Sequence, residues 1–341
     1  SVFECCSPNR AGYVLTVDRS KTHPYILNCN SARVEHYNAN GDLAKVVDHQ
    51  GFETLIAYEG NQITITDTVS GKKIYIEKDA ECRISRVYDD ASRQATFVYT
   101  NGLLTEIHDV NGNIFAYTYD EDFRVKSGTD GNGVRYFENT YDEFGRVVEQ
   151  KDAIEGSIKS VFIYDGNRRI ITDRNGKQSI REYNPDGLLV KYTDANGNAT
   201  TYEYDAAYNV TKETDANGNS IIRTYNCYNK PAEITDRNGH KTRFEYDDCG
   251  NLISIYYPTV AGINPVERFT HNGDNQIIQH VDIRGVLTTY TYDVNRMLET
   301  KKVGSKNAMH FSFQNGLLQS KTDAAGNVTH YSYNSIGQLV A

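Results

Sequence analysis

One turn signal recurs along most of this 341-residue chain and constrains its fold more than any other feature. The signal reads Asp-x-x-Gly, and four copies between Asp173 and Gly239 begin 21 residues apart. An internal repeat of this length indicates an array of small structural units, each of which buries its surface against its neighbours. We predict structural turns at Asp173, Gly176, Asp194, Gly197, Asp215, Gly218, Asp236, Gly239, Asp323 and Gly326.

A second turn signal lies between these copies and reads Tyr, then Asp or Asn, any two residues and Gly, as in residues 183–187 and 246–250. Residues 194–214 therefore contain a turn, a strand, a second turn and a second strand. Asn-Gly supplies the positive φ that tight hairpin turns need, and Asp at the start of a turn can accept backbone N–H groups. Apolar residues show no period of 3.6, so we expect helix in fewer than about 5% of residues. The sequence predicts an all-β fold of tandem hairpins, about 21 residues each, in one long curved or spiralling sheet.

The apolar content favours a thin, partly hydrated sheet over a two-layer sandwich. Only 38% of the residues are hydrophobic, and 26 residues are Tyr, whereas ordinary domains are roughly 45–50% apolar on a count that includes Gly. Side chains alternate between the two faces of a strand, so Thr200, Tyr202 and Tyr204 share one face. We expect rings at equivalent positions to form ladders along the sheet, since cross-strand aromatic pairs each contribute roughly 0.2–1 kcal/mol.

The net charge and the apolar pattern argue against two classes of partner. A net charge of −9 provides no basic stripe for nucleic acid or for an anionic membrane surface. No apolar run approaches the roughly 20 residues that span a bilayer. We therefore expect no nucleic-acid partner and no membrane insertion. The chain begins with Ser1 and shows no signal peptide, so we expect an excised or mature fragment without its targeting information.

Residue types that carry chemistry are present without the spacing that the chemistry requires. The Asp-x-Asn-Gly-Asn turns are acidic, but Ca²⁺ needs 6–8 oxygen ligands and the EF-hand spacing is absent. The nine His and six Cys show no zinc spacing, and neither a phosphate loop nor a nucleophile elbow occurs. We expect no catalytic residue, no cofactor and no metal.

Two regions leave alternatives open. Cys227 and Cys249 lie in equivalent turns of neighbouring repeats, so either a disulfide or two free thiols fits their positions, and free thiols are the simpler interpretation. Residues 261–280 depart from the repeat, and a special site could lie there. The dipeptide Asn264-Pro265 is more simply interpreted as part of an inserted loop.

The repeat unit reads Asp-x-Asn-Gly-Asn-x-Thr-x-Tyr-x-Tyr-Asp-x-x-Gly-x-Leu, and residues 194–210, 236–252 and 323–339 match it closely. This unit resembles the YD repeat of RHS proteins. The resemblance covers residues 31–341, with 258–265 as an insertion, and leaves residues 1–30 as a leader or cap. It implies a β-strip that spirals into a hollow shell. In polymorphic toxins and the C components of insecticidal toxin complexes such shells enclose a toxic C-terminal domain, and similar repeats occur in wall-associated bacterial proteins and in teneurins.

The chain departs from toxin-bearing members of that family, because it contains no Asp-Pro dipeptide of the kind associated with their self-cleavage. We therefore assign neither autoproteolysis nor toxicity to this chain. The expected function is a non-catalytic scaffold segment of a larger secreted or cell-surface protein, with the rest of its own chain, including an enclosed C-terminal domain, as partner. The alternative is a module that binds cell-surface glycans or proteins, since some family members are associated with carbohydrate binding. Its candidate residues are Tyr202, Tyr204, Tyr290, Tyr292, Tyr331 and Tyr333.

Overall fold

The computed structural model describes residues 2–4, 13–29, 33–152, 158–260 and 262–341. These residues form strands and turns without a helix, and strands occupy more than half of the chain. The predicted all-β fold is confirmed. The strands are β1 (Val2–Glu4), β2 (Tyr13–Val17), β3 (Tyr25–Cys29), β4 (Arg33–Tyr37), β5 (Leu43–Asp48), β6 (Glu53–Glu59), β7 (Gln62–Asp67), β8 (Lys73–Lys78), β9 (Ile84–Asp89), β10 (Gln94–Thr100), β11 (Leu103–His108), β12 (Ile114–Tyr119), β13 (Val125–Thr129), β14 (Arg135–Tyr141), β15 (Val147–Lys151), β16 (Ile158–Asp165), β17 (Arg168–Asp173), β18 (Gln178–Tyr183), β19 (Leu189–Thr193), β20 (Ala199–Tyr204), β21 (Val210–Thr214), β22 (Ser220–Tyr225), β23 (Pro231–Thr235), β24 (Lys241–Tyr246), β25 (Leu252–Tyr256), β26 (Val266–His271), β27 (Ile277–Val281), β28 (Leu287–Tyr292), β29 (Leu298–Val303), β30 (Met309–Gln314), β31 (Leu317–Thr322) and β32 (Val328–His330).

Each strand pairs in antiparallel fashion with the next strand in the chain, so the sheet is one uncrossed meander. Strands β1 to β3, inside the segment expected to be a leader or cap, pair into this same sheet. The connection 257–265 joins β25 to β26 at the place of the expected insertion, and Val260 and Ile263 form a small bridge within it. Tandem hairpins connected in order therefore build the sheet from one end to the other.

A bulge recurs where a strand runs into a Tyr-Asp turn. The pairing of β20 with β21 changes register between Glu203 and Tyr204, because β21 carries one extra residue at that step. The pairing of β28 with β29 changes register between Thr291 and Tyr292 in the same way. A β-bulge bends the strand that contains it and increases the local twist. Its repetition in most units, though not in the pairings of β2 with β3, β6 with β7 and β16 with β17, favours a sheet that curves along its length.

In the described part of the chain the sheet is one layer without a dry core. Cys29, at 2% exposure, and Pro24 are the buried apolar residues among those described, apart from two glycines. In β20 the side chains of Thr201 and Glu203 are exposed, while Thr200 and Tyr202 on the opposite face are half-buried. This alternation agrees with the low apolar content of the sequence, since one partly protected face needs fewer aliphatic side chains than a packed core.

The turns form the two edges of the strip. We call the turns that follow even-numbered strands the Tyr-Asp edge, and the turns that follow odd-numbered strands the Asp-Gly edge. The Tyr-Asp edge comprises residues 38–42, 59–62, 79–83, 100–103, 120–124, 142–146, 165–168, 184–188, 205–209, 226–230, 247–251, 272–276, 293–297, 314–317 and 334–338. The described turns of the Asp-Gly edge include residues 48–52, 67–72, 89–93, 109–113, 130–134, 173–177, 194–198, 215–219, 236–240, 282–286, 303–308 and 323–327.

The strip coils until its two edges meet. His49 Nε2 lies 2.6 Å from Asn251 Oδ1, and Lys72 Nζ donates a hydrogen bond to the carbonyl oxygen of Ile336 at 3.0 Å. These partners are 202 and 264 residues apart in the chain, so the contact joins successive turns of one coil. We call this contact the seam. It sets Asp-Gly turns 48–52, 67–72 and 89–93 against Tyr-Asp turns 247–251, 272–276, 293–297, 314–317 and 334–338.

Candidate functional site

Each predicted Asp-Gly turn is closed by the side chain of its Asp. Asp194 Oδ1 accepts hydrogen bonds from the backbone N–H groups of Asn196 and Asn198, each at 2.8 Å. Gly197 has a φ of +86°, a conformation that side chains with a Cβ rarely adopt. We propose that these residues set the turns of the strip. The same arrangement is found at Asp173, Asp215, Asp236 and Asp323, with Gly176, Gly218, Gly239 and Gly326 at φ values from +75° to +91°.

Hydrogen bonds occupy both carboxylate oxygens of Asp194 and of Asp323. The Asn198 side chain donates to Asp194 Oδ2 at 2.9 Å, and this bond, together with the backbone N–H groups, holds the pKa of Asp194 below its ordinary value. Asn327 acts on Asp323 in the same manner. The carboxylates are therefore engaged within their own turns. No three or more His, Cys, Asp or Glu side chains in the described part of the chain are placed to hold a metal ion.

In strands that carry two Tyr residues on one face, such as Tyr202 and Tyr204, the second Tyr joins neighbouring hairpins at the Tyr-Asp edge. The hydroxyl of Tyr204 donates a hydrogen bond to the carbonyl oxygen of Leu189, in the preceding hairpin, at 2.7 Å. Burial raises the pKa of Tyr204, so the hydroxyl stays protonated and remains a donor. Sequence reasoning missed this role, although a Tyr recurring before the turn Asp was a signal for it. The same bond is made by Tyr58, Tyr99, Tyr119, Tyr225, Tyr246, Tyr292 and Tyr333.

The predicted ladder of stacked Tyr rings is wrong for the described residues. Tyr75 and Tyr88, with ring centroids 4.9 Å apart and an interplanar angle of 17°, are the one stacked Tyr pair among them. The first Tyr residues of the three nominated pairs, Tyr202, Tyr290 and Tyr331, are half-buried. Polar and charged side chains lie between the rings instead. Glu213, for example, is the residue opposite Tyr202 on the neighbouring strand.

Cationic side chains cover many Tyr rings on the Tyr-Asp edge. The guanidinium carbon of Arg124 lies 4.7 Å from the centroid of the Tyr141 ring, while Arg124 Nε donates to Asp120 Oδ2 at 2.8 Å. Arg is suited to this position because a planar guanidinium can stack on a ring and pair with a carboxylate at the same time. The Arg124 side chain therefore joins its own turn to the next hairpin. Equivalent pairs are Arg83 on Tyr99, Arg146 on Tyr164 and Lys230 on Tyr246.

Polar side chains form the seam itself. Asn251 and Gln276 are buried there, at 6% and 3% exposure. Asn251 Nδ2 donates to Asn275 Oδ1 at 2.9 Å, and Gln276 Nε2 donates to the carbonyl oxygen of Arg296 at 2.8 Å. Their hydrogen bonds offset the loss of contact with water. These two bonds join neighbouring turns of the Tyr-Asp edge, whereas the His49–Asn251 and Lys72–Ile336 hydrogen bonds cross to the Asp-Gly edge. The seam is therefore a hydrogen-bonded joint.

Two cavities open along the seam between residues of the two edges. One, of about 390 Å³, includes Phe52 and Met297 in its lining. The other, of about 420 Å³, includes His49 and Asp274. Both bring together side chains from opposite ends of the sequence, so neither was accessible to sequence reasoning.

The remaining chemically reactive groups include two thiols in neighbouring turns and a stacked pair of rings. Cys227 and Cys249 are exposed free thiols, and their turns are joined by Lys230, whose Nζ donates to the carbonyl oxygen of Gly250 at 2.5 Å. In the stretch 261–280, of which residue 261 lies outside the described residues, the rings of Phe269 and His280 stack with centroids 4.7 Å apart. The adjacent Cys5 and Cys6 also lie outside the described residues. No helix in the described part of the chain has the length and apolarity needed to cross a membrane.

Comparison with known proteins gives two family matches. The RHS Repeat family matches residues 183–220, 228–259 and 314–341, and the Teneurin YD-shell family matches residues 9–136. Together these matches span about two thirds of the chain. No curated protein sequence matches it.

Similar solved structures include TcdB2–TccC3 without its hypervariable C-terminal region, at 13% identity and a TM-score of 0.45, covering 96% of this chain and 24% of that one. The Photorhabdus luminescens Tc holotoxin pore is 14% identical with a TM-score of 0.31, covering 96% of this chain and 26% of that one. The chain thus spans about a quarter of the length of each. Its two family matches agree with its 21-residue spacing and its meander of hairpins, and the matched residues belong to the YD-repeat, or RHS-repeat, family.

Proposed function

We propose that this chain is a non-catalytic wall segment of a larger secreted or surface protein, and that the complete shell encloses or displays another domain of the same polypeptide. The seam is the observation that carries the proposal. A strip whose edges hydrogen-bond after one turn of the coil makes a continuous wall. Membership of a family of shell-type repeats supports the same role.

The absence of a dry core among the described residues is a second support. A solid domain would bury one face of the sheet against another layer. Here the half-buried face, which carries Tyr202 and Tyr204, has no second layer over it in the described part of the chain. Water or another part of the protein must cover such a face, and an enclosed domain of the same polypeptide meets that requirement.

Limited proteolysis of the complete native protein tests enclosure. We expect the domain that adjoins this segment to resist cleavage while the sheet is intact. Arg296→Ala removes a bond across the seam and should expose that domain earlier. Val294→Ala, in the same turn and at 99% exposure, is the matched control and should not. Cleavage of the adjoining domain as fast as a free copy of it, with the sheet still folded, would contradict enclosure.

A second candidate function is glycan binding by the first Tyr of each pair. In the described part of the chain, the hydroxyls of Tyr202, Tyr290 and Tyr331 do not make the backbone hydrogen bond that occupies Tyr204. A glycan array probed with the chain and with Tyr202→Ala tests this function. Tyr202→Phe is the control, since it keeps the ring at that position and loses only the hydroxyl. Retention of a sugar signal by Tyr202→Ala at full strength would exclude Tyr202 from binding.

The non-catalytic part of the proposal is tested by a screen with glycosidase, nuclease and peptidase substrates. We expect no turnover, because the carboxylates at the turn positions are committed to their own turns, as Asp194 is. Turnover that survives repurification and disappears when one acidic residue is replaced would contradict the scaffold function.

A further inference from the structure

The seam shows which residue position within a Tyr-Asp turn carries the side chain that contacts the Asp-Gly edge. Asn275 and Arg296 each occupy the fourth position of their turns, with φ values of +60° and +64°. Asn275 Nδ2 donates to the carbonyl oxygen of His49 at 2.9 Å, and Arg296 Nη1 donates to the carbonyl oxygen of Gly51 at 2.8 Å. A left-handed Arg is strained, and such strain persists where a contact makes use of it. In these two turns, the strained backbone at the fourth position therefore accompanies a contact between the Tyr-Asp edge and the Asp-Gly edge.

The same position carries strained residues in Tyr-Asp turns that face no second edge among the described residues. Cys82, Phe123 and Tyr208 have φ values of +64°, +63° and +66°, and all three are exposed. Phe123 is 70% exposed, and Phe144 in the adjacent turn is 72% exposed. Backbone strain and exposed apolar surface are both unfavourable in an isolated molecule. Their coincidence marks a surface that another surface covers.

The complementary surface is present in the same molecule and is open. At Gly51, which faces the seam, the Arg296 guanidinium lies 3.0 Å from the place a Cβ would occupy. The corresponding glycines farther along the Asp-Gly edge have no atom within 4 Å of that place. They are Gly112, Gly133, Gly176, Gly197, Gly218 and Gly239.

Exposed charges on the two free edges are complementary in one region. Glu121 and Glu143 are exposed beside Phe123 and Phe144 on the Tyr-Asp edge. Lys177 is exposed on the Asp-Gly edge, next to a turn whose glycine is open. Opposite charges at facing edges favour encounter and set the register of the contact.

We propose that this chain associates head to tail with a second copy of itself, the Tyr-Asp turns 120–124 and 142–146 of one molecule docking on the Asp-Gly turns near 173–177 of the next. The contact repeats between molecules the pairing of edges that the seam makes within one. The interface is heterologous, since each copy contributes a different edge, and copies therefore add in a row. The proposal rests on the seam geometry and is independent of what the shell encloses.

Sedimentation velocity of the 341-residue chain over about two decades of concentration around the micromolar range tests the proposal. We expect the mean sedimentation coefficient of the wild-type chain to rise with concentration. Phe123→Gly should weaken association by about tenfold or more, because anchoring aromatic residues dominate interface affinity. Val294→Ala, which truncates an exposed apolar residue in a turn that already belongs to the seam, should associate like the wild type.

Mixing two variants tests the direction of the contact. Phe123→Gly keeps the Asp-Gly edge intact, and Lys177→Glu keeps the Tyr-Asp edge intact, so an equimolar mixture should form a dimer and nothing larger. A thermal unfolding midpoint no lower than that of the wild type shows that Phe123→Gly is folded. A wild-type chain that stays monomeric throughout overturns the proposal. So does a Phe123→Gly chain that associates as tightly as the wild type, or a mixture that gives no dimer.

Discussion

The two edges of the strip use the same backbone turn with different residues at its left-handed position. On the Asp-Gly edge that position is Gly almost throughout, with Ser92 as an exception in the described turns. On the Tyr-Asp edge it is often a residue with a side chain. Because the backbone requirement is the same, the difference reflects what the side chains contact. The residues concerned are Cys82, Phe123, Tyr208, Asn229, Asn275 and Arg296.

The comparison shows that one edge is built with little strain while the other accepts strain in order to place side chains. Gly adopts a positive φ at no steric cost, so the turns of the Asp-Gly edge form with little backbone strain. The Tyr-Asp edge keeps Arg296 and Asn275, which cross the seam, and Tyr204, which joins hairpins. Side chains of both edges thus cross the seam, Asn275 and Arg296 from the Tyr-Asp edge and His49 and Lys72 from the Asp-Gly edge.

The largest effect is expected from Gly51→Ala compared with Gly197→Ala. Both glycines have a left-handed φ, +84° and +86°, so each substitution should lower the free energy of unfolding by about 1 kcal/mol or more. At Gly51 the new methyl group also meets the Arg296 guanidinium, which raises the expected loss to roughly 2 kcal/mol. Chemical unfolding of the two variants measures both losses. Equal losses would show that the Arg296 guanidinium moves aside for the methyl group without a measurable cost.

Tyr204→Phe should have the next largest effect, a loss of about 1 kcal/mol, because it removes the hydrogen bond to the Leu189 carbonyl and leaves that acceptor partly buried. Tyr202→Phe is the matched control two residues away and should stay within about 0.5 kcal/mol of the wild type. Hydrogen exchange at the ends of β19 and β20 should increase in Tyr204→Phe alone. If the two variants have the same stability, the bond between hairpins does not distinguish the second Tyr from the first.

Phe123→Gly should act in the opposite direction from Gly197→Ala. It removes a left-handed φ from a bulky residue, so a dilute sample should gain up to about 1 kcal/mol, less the entropy that Gly loses on folding. The measurement is the unfolding midpoint at a concentration where the chain is monomeric. A clear loss of stability would mean that Phe123 packs within its own molecule.

The smallest expected effect is a difference between the two edges in acid. The Arg83 hydrogen bond lowers the pKa of Asp79 on the Tyr-Asp edge, and the Asn198 amide lowers that of Asp194 on the Asp-Gly edge. A carboxyl with a lowered folded pKa stabilises the fold above its ordinary value of 3.8 and stops doing so as the pH falls through the folded value.

Added salt should change the pKa values of Asp79 and Asp194 by different amounts. Added salt screens the attraction of Arg83 for Asp79, so the pKa of Asp79 should rise toward 3.8 at about 1 M salt. The neutral amide of Asn198 is not screened, so the pKa of Asp194 should move less. A carboxyl NMR titration at low and high salt measures both. Equal shifts for the two carboxyls would contradict the assigned partners.

The local turn chemistry could be predicted because it depends on residues at most four apart in the sequence. Asp194 and Gly197 act within one turn, and the spacing of such turns implied hairpins and an all-β fold. The Tyr ladder was predicted wrongly because alternation along one strand says nothing about the neighbouring strand. There, Arg124 takes the place beside Tyr141 that a second ring was expected to fill. The role of Tyr204 was missed because its acceptor lies in the preceding hairpin.

The sequence by itself determined the hairpins, their order and the position of each turn, since Asn-Gly and Asx turns are favoured by interactions within a few residues. The tertiary structure alone decided that the strip coils and where its edges meet. His49 and Asn251 are 202 residues apart, and their contact depends on bends and twists accumulated over all the intervening units. Each unit contributes a small rotation, so a slight change in the bulge beside each Tyr would move the seam to different residues. Local sequence therefore specifies the unit, and only the sum over many units specifies the coil.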